Sequence, residues 1–106
     1  MDWARLDELR DEVGAEALDE IVEMFMAEIE DLATKLRTQP DMATLGADLH
    51  FLRGAALNLG FTPLAEACQT GELLARQGKA DQVDLVGILA RHDQCLQALA
   101  DHQSAA

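Results

Sequence analysis

Between Leu18 and Leu36 the apolar residues Leu18, Ile21, Val22, Phe25, Ile29, Leu32 and Leu36 recur at intervals of three and four. That spacing puts them on one stripe of an α-helix, with Asp19, Glu20, Glu23, Glu30 and Asp31 on the other faces. A half-buried strand would need alternation by two, which the segment lacks. A helix with one apolar stripe must bury it against other helices, so the stretch commits the chain to helix-on-helix packing.

Punctuation divides the rest in the same way. Asp2 can cap a first helix over about 3–13, carrying Trp3, Leu6, Leu9 and Val13 and closed by Gly14. The second runs over 15–38, because Gln39 precedes Pro40 and is pushed out of the α region. Asp41 predicts the start of a third over about 42–59, stopped by Gly60. Thr62-Pro63 opens a fourth over about 63–77, and Asp81, with Asp84 three residues on, a fifth over about 82–100. The tail 101–106 is expected to fray. The reading is all-α: an antiparallel four-helix bundle with a short additional N-terminal helix across one end.

Length and charge bound the function. The 106 residues make a single domain over 1–106, since two separate cores would be too small to be stable. Eight Lys and Arg against 20 Asp and Glu leave a net charge of −12. That argues against nucleic acid as a partner, because binding there rests on cations displacing counterions, and against anionic membranes. No apolar run approaches a membrane span and the start has no basic n-region, so a cytoplasmic, free-standing chain without signal peptide is expected. Cys68 and Cys95 stand far apart, with no Cys-x-x-Cys and no His at ligand spacing, so they read as buried free thiols. No Glu-x-x-His pair suggests a carboxylate metal site, and no cofactor is implied.

One histidine has unusual neighbours. The third helix has its core stripe at Leu45, Leu49, Leu52, Ala56 and Leu59, and His50 lies roughly 140° from the centre of that stripe at about 100° per residue. It points outward, with Ala43, Gly46, Ala47, Gly54 and Leu57 on its face and Arg53 on its flank. Each helical glycine costs about 1 kcal/mol relative to alanine. What the two glycines provide is an imidazole standing clear of other side chains. His92 falls on the apolar stripe of the fifth helix, at the core edge, and His102 lies in the tail.

The stretch His50-Phe51-Leu52-Arg53-Gly54-Ala55-Ala56-Leu57-Asn58-Leu59-Gly60, followed by Leu64, Cys68 and Glu72, resembles the histidine-containing phosphotransfer (HPt) domain. Leu6-x-x-Leu9, Gly14 and the acidic helix with Phe25 are similar to that family's opening helices, so the resemblance covers essentially the whole chain. It implies phosphorelay signalling. His50 would accept a phosphoryl group from a receiver-domain aspartate and hand it to another, with the receiver supplying Mg²⁺. Arg53 stands where the family usually has Lys, beside the phosphoryl charge; Gly54 is the clearance position; Glu72 occupies the place of the Gln or Glu that orients the imidazole. Arg53 presents a planar fork rather than a point charge. Ala55 and Ala56 remove hydroxyls the family often carries there.

Receivers of response regulators or of a hybrid histidine kinase would be the partners. They would dock on Ala43, Gly46, Ala47, Gly54 and Leu57, extended by Leu6 or Leu9 of the first helix. An ATP-dependent autokinase is disfavoured: Phe51 follows His50 where the kinase box has an acid, no proline occurs before Pro63 downstream, and no Gly-rich nucleotide motif exists. A phosphoryl carrier is the first reading. A non-catalytic bundle that docks receivers without carrying phosphate is the alternative.

Overall fold

The computed structural model describes residues 1–105, with side chains as far as His102. Five α-helices follow in order: α1 Trp3–Val13, α2 Ala15–Thr38, α3 Leu45–Leu59, α4 Thr62–Arg76 and α5 Leu85–Ala105. The first two have the expected bounds. Between them Gly14 sits at φ 87°, a backbone state that lets α1 fold sharply onto α2. Helices α2 to α5 form the bundle: α3 packs along α4, α4 along α5, and α2 closes against α3 and α5.

Three predicted starts shift. Asp41 does not cap the third helix, because its Oδ1 accepts from the Ala43 N–H two residues on and its carbonyl from Thr44. Those bonds make a local turn, and α3 begins only at Leu45. The fourth helix starts at Thr62, one residue early, with no side-chain cap. Asp81 falls in a 3₁₀ turn, Ala80–Gln82, and it is Asp84 that takes the Gly87 N–H at 2.9 Å and heads α5. The expected fraying is replaced by helix as far as Ala105; Ala106 lies outside the described residues. His102 lies flat against Trp3, ring centroids 4.0 Å apart, which ties α5 to α1.

Leu45, Leu49, Leu52, Ala56 and Leu59 are all buried, as the stripe predicted, and meet Ile29, Leu36, Leu64, Cys68 and Ile88 in the core. His92 goes deeper than expected. It is buried, with Nε2 3.0 Å from Glu30 Oε1 and Nδ1 3.1 Å from Asp93 Oδ1. Glu30 thus faces α5 rather than the outside, at ionic distance from Nε2 but outside hydrogen-bond geometry, and Asp93 is the hydrogen-bond partner of the ring. Leu6 is buried too, and Leu9 packs against the core.

The end of α3 fixes the adjoining loop. Gly60 is left-handed at φ 75°, its N–H reaches Leu57 and the Phe61 N–H reaches Ala56, so two carbonyls of the last turn of α3 are satisfied. The Gly60 carbonyl takes the Asp2 N–H at 2.7 Å, pinning the N-terminal segment to this corner. A Cβ at Gly60 would collide with the backbone carbonyl oxygen of Asp2. Gly60→Ala is expected to cost at least about 1–2 kcal/mol, the left-handed penalty alone. Chemical denaturation checks this, with Gly54→Ala, where a Cβ meets nothing within 4 Å, as a control expected to hold or gain stability.

Candidate functional site

His50 is carried on the outer side of α3, its flanking Leu49 and Leu52 buried and its own side chain 62% exposed. Because α3 lies along α4, Glu72 reaches it from the neighbouring helix. Glu72 is 3% exposed, a position a carboxylate holds only with partners. Its Oε1 lies 2.8 Å from His50 Nδ1 and 2.5 Å from Arg76 Nη2, and its Oε2 lies 3.2 Å from Arg53 Nε. One carboxylate thus gathers an imidazole and two guanidinium groups.

The geometry fixes the tautomer. Nδ1 also sits 3.2 Å from Arg53 Nη2, but a guanidinium only donates and a carboxylate only accepts. A ring nitrogen cannot serve both. The shorter contact is to the charged acceptor, so Nδ1 carries a proton and donates it to Glu72, while the Arg53 approach is a packing contact. In the neutral ring the lone pair then lies on Nε2, which has no partner among the described residues.

Burial alone would raise the Glu72 pKa. The hydrogen bond from His50, then the charges of Arg53 and Arg76, outweigh it and hold the carboxyl below the usual glutamate value. A carboxylate depressed in the folded protein contributes stability that is present above its unfolded pKa and lost as pH falls through the folded one. The melting temperature is therefore expected to drop as pH falls below about 4.5, and part of that drop to vanish in Glu72→Gln. Thermal melts between neutral pH and about pH 3 measure both. Cys68, one turn before Glu72, has its thiol pushed up to about 12, by burial and then by the Glu72 charge. Burial raises Cys95 as well. Both stay protonated and take no part.

The surface around the imidazole is low on both sides. Toward α4 it opens onto a shallow groove with Ala43, Gly46, Ala47, Ala75 and Arg76; toward α2 onto another with Phe25, Phe51, Gly54 and Asn58. A Cβ on Gly54 would meet nothing, so this glycine is open clearance. Gly46 differs: it is half-buried, and a Cβ there would touch Ala75 of α4, so it also serves the helix contact.

Ala43, Ala47 and Leu57 are exposed as expected. Leu6 is not available to a partner, because α1 turns it inward against the core, and Leu9 is half-buried for the same reason. Two neighbours escaped the sequence reading. Phe51, 49% exposed, was signalled only by standing next to His50. Arg76 was signalled by its place four residues after Glu72, one turn along the same helix.

Among the described residues no group of His, Cys, Asp and Glu is arranged to hold a metal ion, and no helix is long and apolar enough to cross a membrane. No curated protein and no solved structure matches the chain. A model of the Hpt domain does, over residues 16–102. The matched span begins at the start of α2 and takes in His50, Arg53, Gly54 and Glu72, leaving only α1 and the extreme C-terminus outside. An all-helical bundle with one exposed, oriented histidine agrees with that match, and the chain belongs to the Hpt domain family, the histidine phosphotransfer domains of phosphorelays.

Proposed function

We propose that the protein is a phosphoryl carrier, with His50 as phosphoacceptor between the aspartates of two receiver domains. The observation that carries this reading is the 2.8 Å contact between His50 Nδ1 and Glu72 Oε1, which leaves Nε2 as the exposed nucleophile. The unperturbed imidazole pKa is about 6.5, so at neutral pH a histidine side chain has a lone pair to offer.

In the transfer step the Nε2 lone pair forms the P–N bond while the acyl-phosphate P–O bond breaks. The electron pair of that bond leaves on the receiver's carboxylate. No proton moves: Nδ1 keeps its hydrogen, the ring becomes cationic, and Glu72 faces the new positive charge. Orienting an imidazole by a carboxylate on its far nitrogen is the arrangement other histidine sites use. The rest is alignment and charge: Gly54 and Gly46 admit the receiver, and arginines offset the phosphoryl charge on a surface of net charge −12. Mg²⁺ would come with the receiver.

Incubation with receiver domains phosphorylated on aspartate tests this. The expected product is an acid-labile, base-stable phosphoramidate on this chain, with no label from ATP alone. Stable complexes that never transfer label would instead support a docking module.

A further inference from the structure

The two arginines on Glu72 are held differently. Arg53 has its side chain only 28% exposed, with Nε 3.2 Å from Oε2 and Nη2 packed on His50. Arg76 is 67% exposed and has a single contact, Nη2 to Oε1, the same oxygen that takes the Nδ1 proton. It also lines the α4-side groove in which His50 stands, among Ala43, Gly46 and Ala47, whose small side chains leave its path open. Two other cations on this side are engaged elsewhere: Lys35 with Asp48 at 2.8 Å, and Arg5 with Glu8 at 3.5 Å and the Asn58 side chain at 3.4 Å.

Resting on the phosphoacceptor role of His50, we propose that Arg76 releases Glu72 and closes on the phosphoryl group once it is bound to Nε2, while Arg53 stays behind to hold Glu72. The charge balance favours the exchange. Before transfer Glu72 faces two guanidinium groups and a neutral ring. After it, the ring is an imidazolium that keeps its Nδ1 proton on Oε1, so Glu72 has a new positive partner just as a dianion arrives at the surface. The contact Arg76 gives up is to a buried carboxylate, but the new imidazolium on the same oxygen takes its place, while a guanidinium on a phosphoryl group makes charge-assisted, bidentate bonds. Arg53, more covered, with Nε at ionic distance from Oε2 but outside hydrogen-bond geometry and Nη2 against the His50 ring, is the less free to turn. In this proposal Arg76 takes the phosphoryl-facing part that the resemblance implies for Arg53.

The test compares the unsubstituted protein with Arg76→Gln and Arg76→Lys, using a phosphorylated receiver as donor. In ³¹P NMR the titration midpoint of the phosphohistidine is expected to rise by about one unit in Arg76→Gln, because a nearby cation favours the dianion, and to return most of the way in Arg76→Lys. Transfer to His50 should slow about tenfold in Arg76→Gln, the worth of one charge-assisted hydrogen bond. The ¹⁵N shifts of the unphosphorylated His50 ring should stay put, since the Nδ1–Oε1 bond and the Arg53 charge beside Oε2 both remain. An unchanged ³¹P midpoint in Arg76→Gln overturns the proposal. So does a slow variant whose ring ¹⁵N shifts move, because Arg76 would then act only by positioning Glu72. Absence of label on the unsubstituted protein overturns the role of His50 itself, a separate failure.

Discussion

Mixed with a phosphorylated receiver, His50→Gln is expected to acquire no phosphoryl label, down to background. The loss follows from chemistry rather than from folding. His50 is exposed, and Glu72 keeps Arg53 and Arg76 when the imidazole is removed, so its buried charge is not orphaned. Neither remaining histidine can take over. His92 is 1% exposed and both its ring nitrogens face carboxylates, those of Glu30 and Asp93. His102 is stacked on Trp3. A variant that folds as the unsubstituted protein does, shown by an unchanged melting temperature, and still carries label would remove His50 from the mechanism.

Gly54→Gln should separate stability from transfer. A Cβ at this position meets nothing within 4 Å, and glutamine is the better helix former by roughly 0.5–1 kcal/mol. The melting temperature is therefore expected to hold or rise. The added side chain, one turn from His50, would stand over the imidazole and keep the receiver's aspartyl phosphate from in-line approach. Misplacement by about 1 Å can cost a hundredfold, so transfer should fall by at least about that factor. Stopped-flow or quench measurements of label on the chain decide it. A normal rate would mean that the open space at Gly54 is not the receiver's path.

The sequence made the helices legible wherever one residue settled a boundary. Gly14 and Pro40 do so, and α2 falls between them as expected. Boundaries slipped where two residues could play the same part. Asp41 and Thr44 both suit a helix start, and the choice rests on the turn that Asp41 closes with Ala43. Asp81 and Asp84 compete in the same way, and the 3₁₀ turn at Ala80–Gln82 decides for Asp84.

Site residues followed a similar rule. His50 and Glu72 were legible because a bare helix face and an ordered motif single them out, and the fold brings them to 2.8 Å. Leu6 misled because a stripe on an isolated helix does not say whether it meets the core or a partner. The seating of α1 on the α3 corner, through the Asp2–Gly60 bond, is tertiary information. Arg76 was missed for a different reason, its spacing from Glu72 being too weak a signal. A glutamate followed four residues later by arginine is an ordinary surface pair on most helices, and only the burial of Glu72 beside His50 changes its meaning.

The central claim is that Glu72 holds the proton on Nδ1 and so hands the nucleophilic role to Nε2. Long-range ¹H–¹⁵N correlation of the phosphorylated, histidine-labelled protein reads which ring nitrogen bears phosphorus. A phosphoryl group on Nε2 of His50, with the Nδ1 proton still present and shifted by its bond to Glu72, is the predicted result. Phosphorus on Nδ1, or on any residue other than His50, would contradict the account.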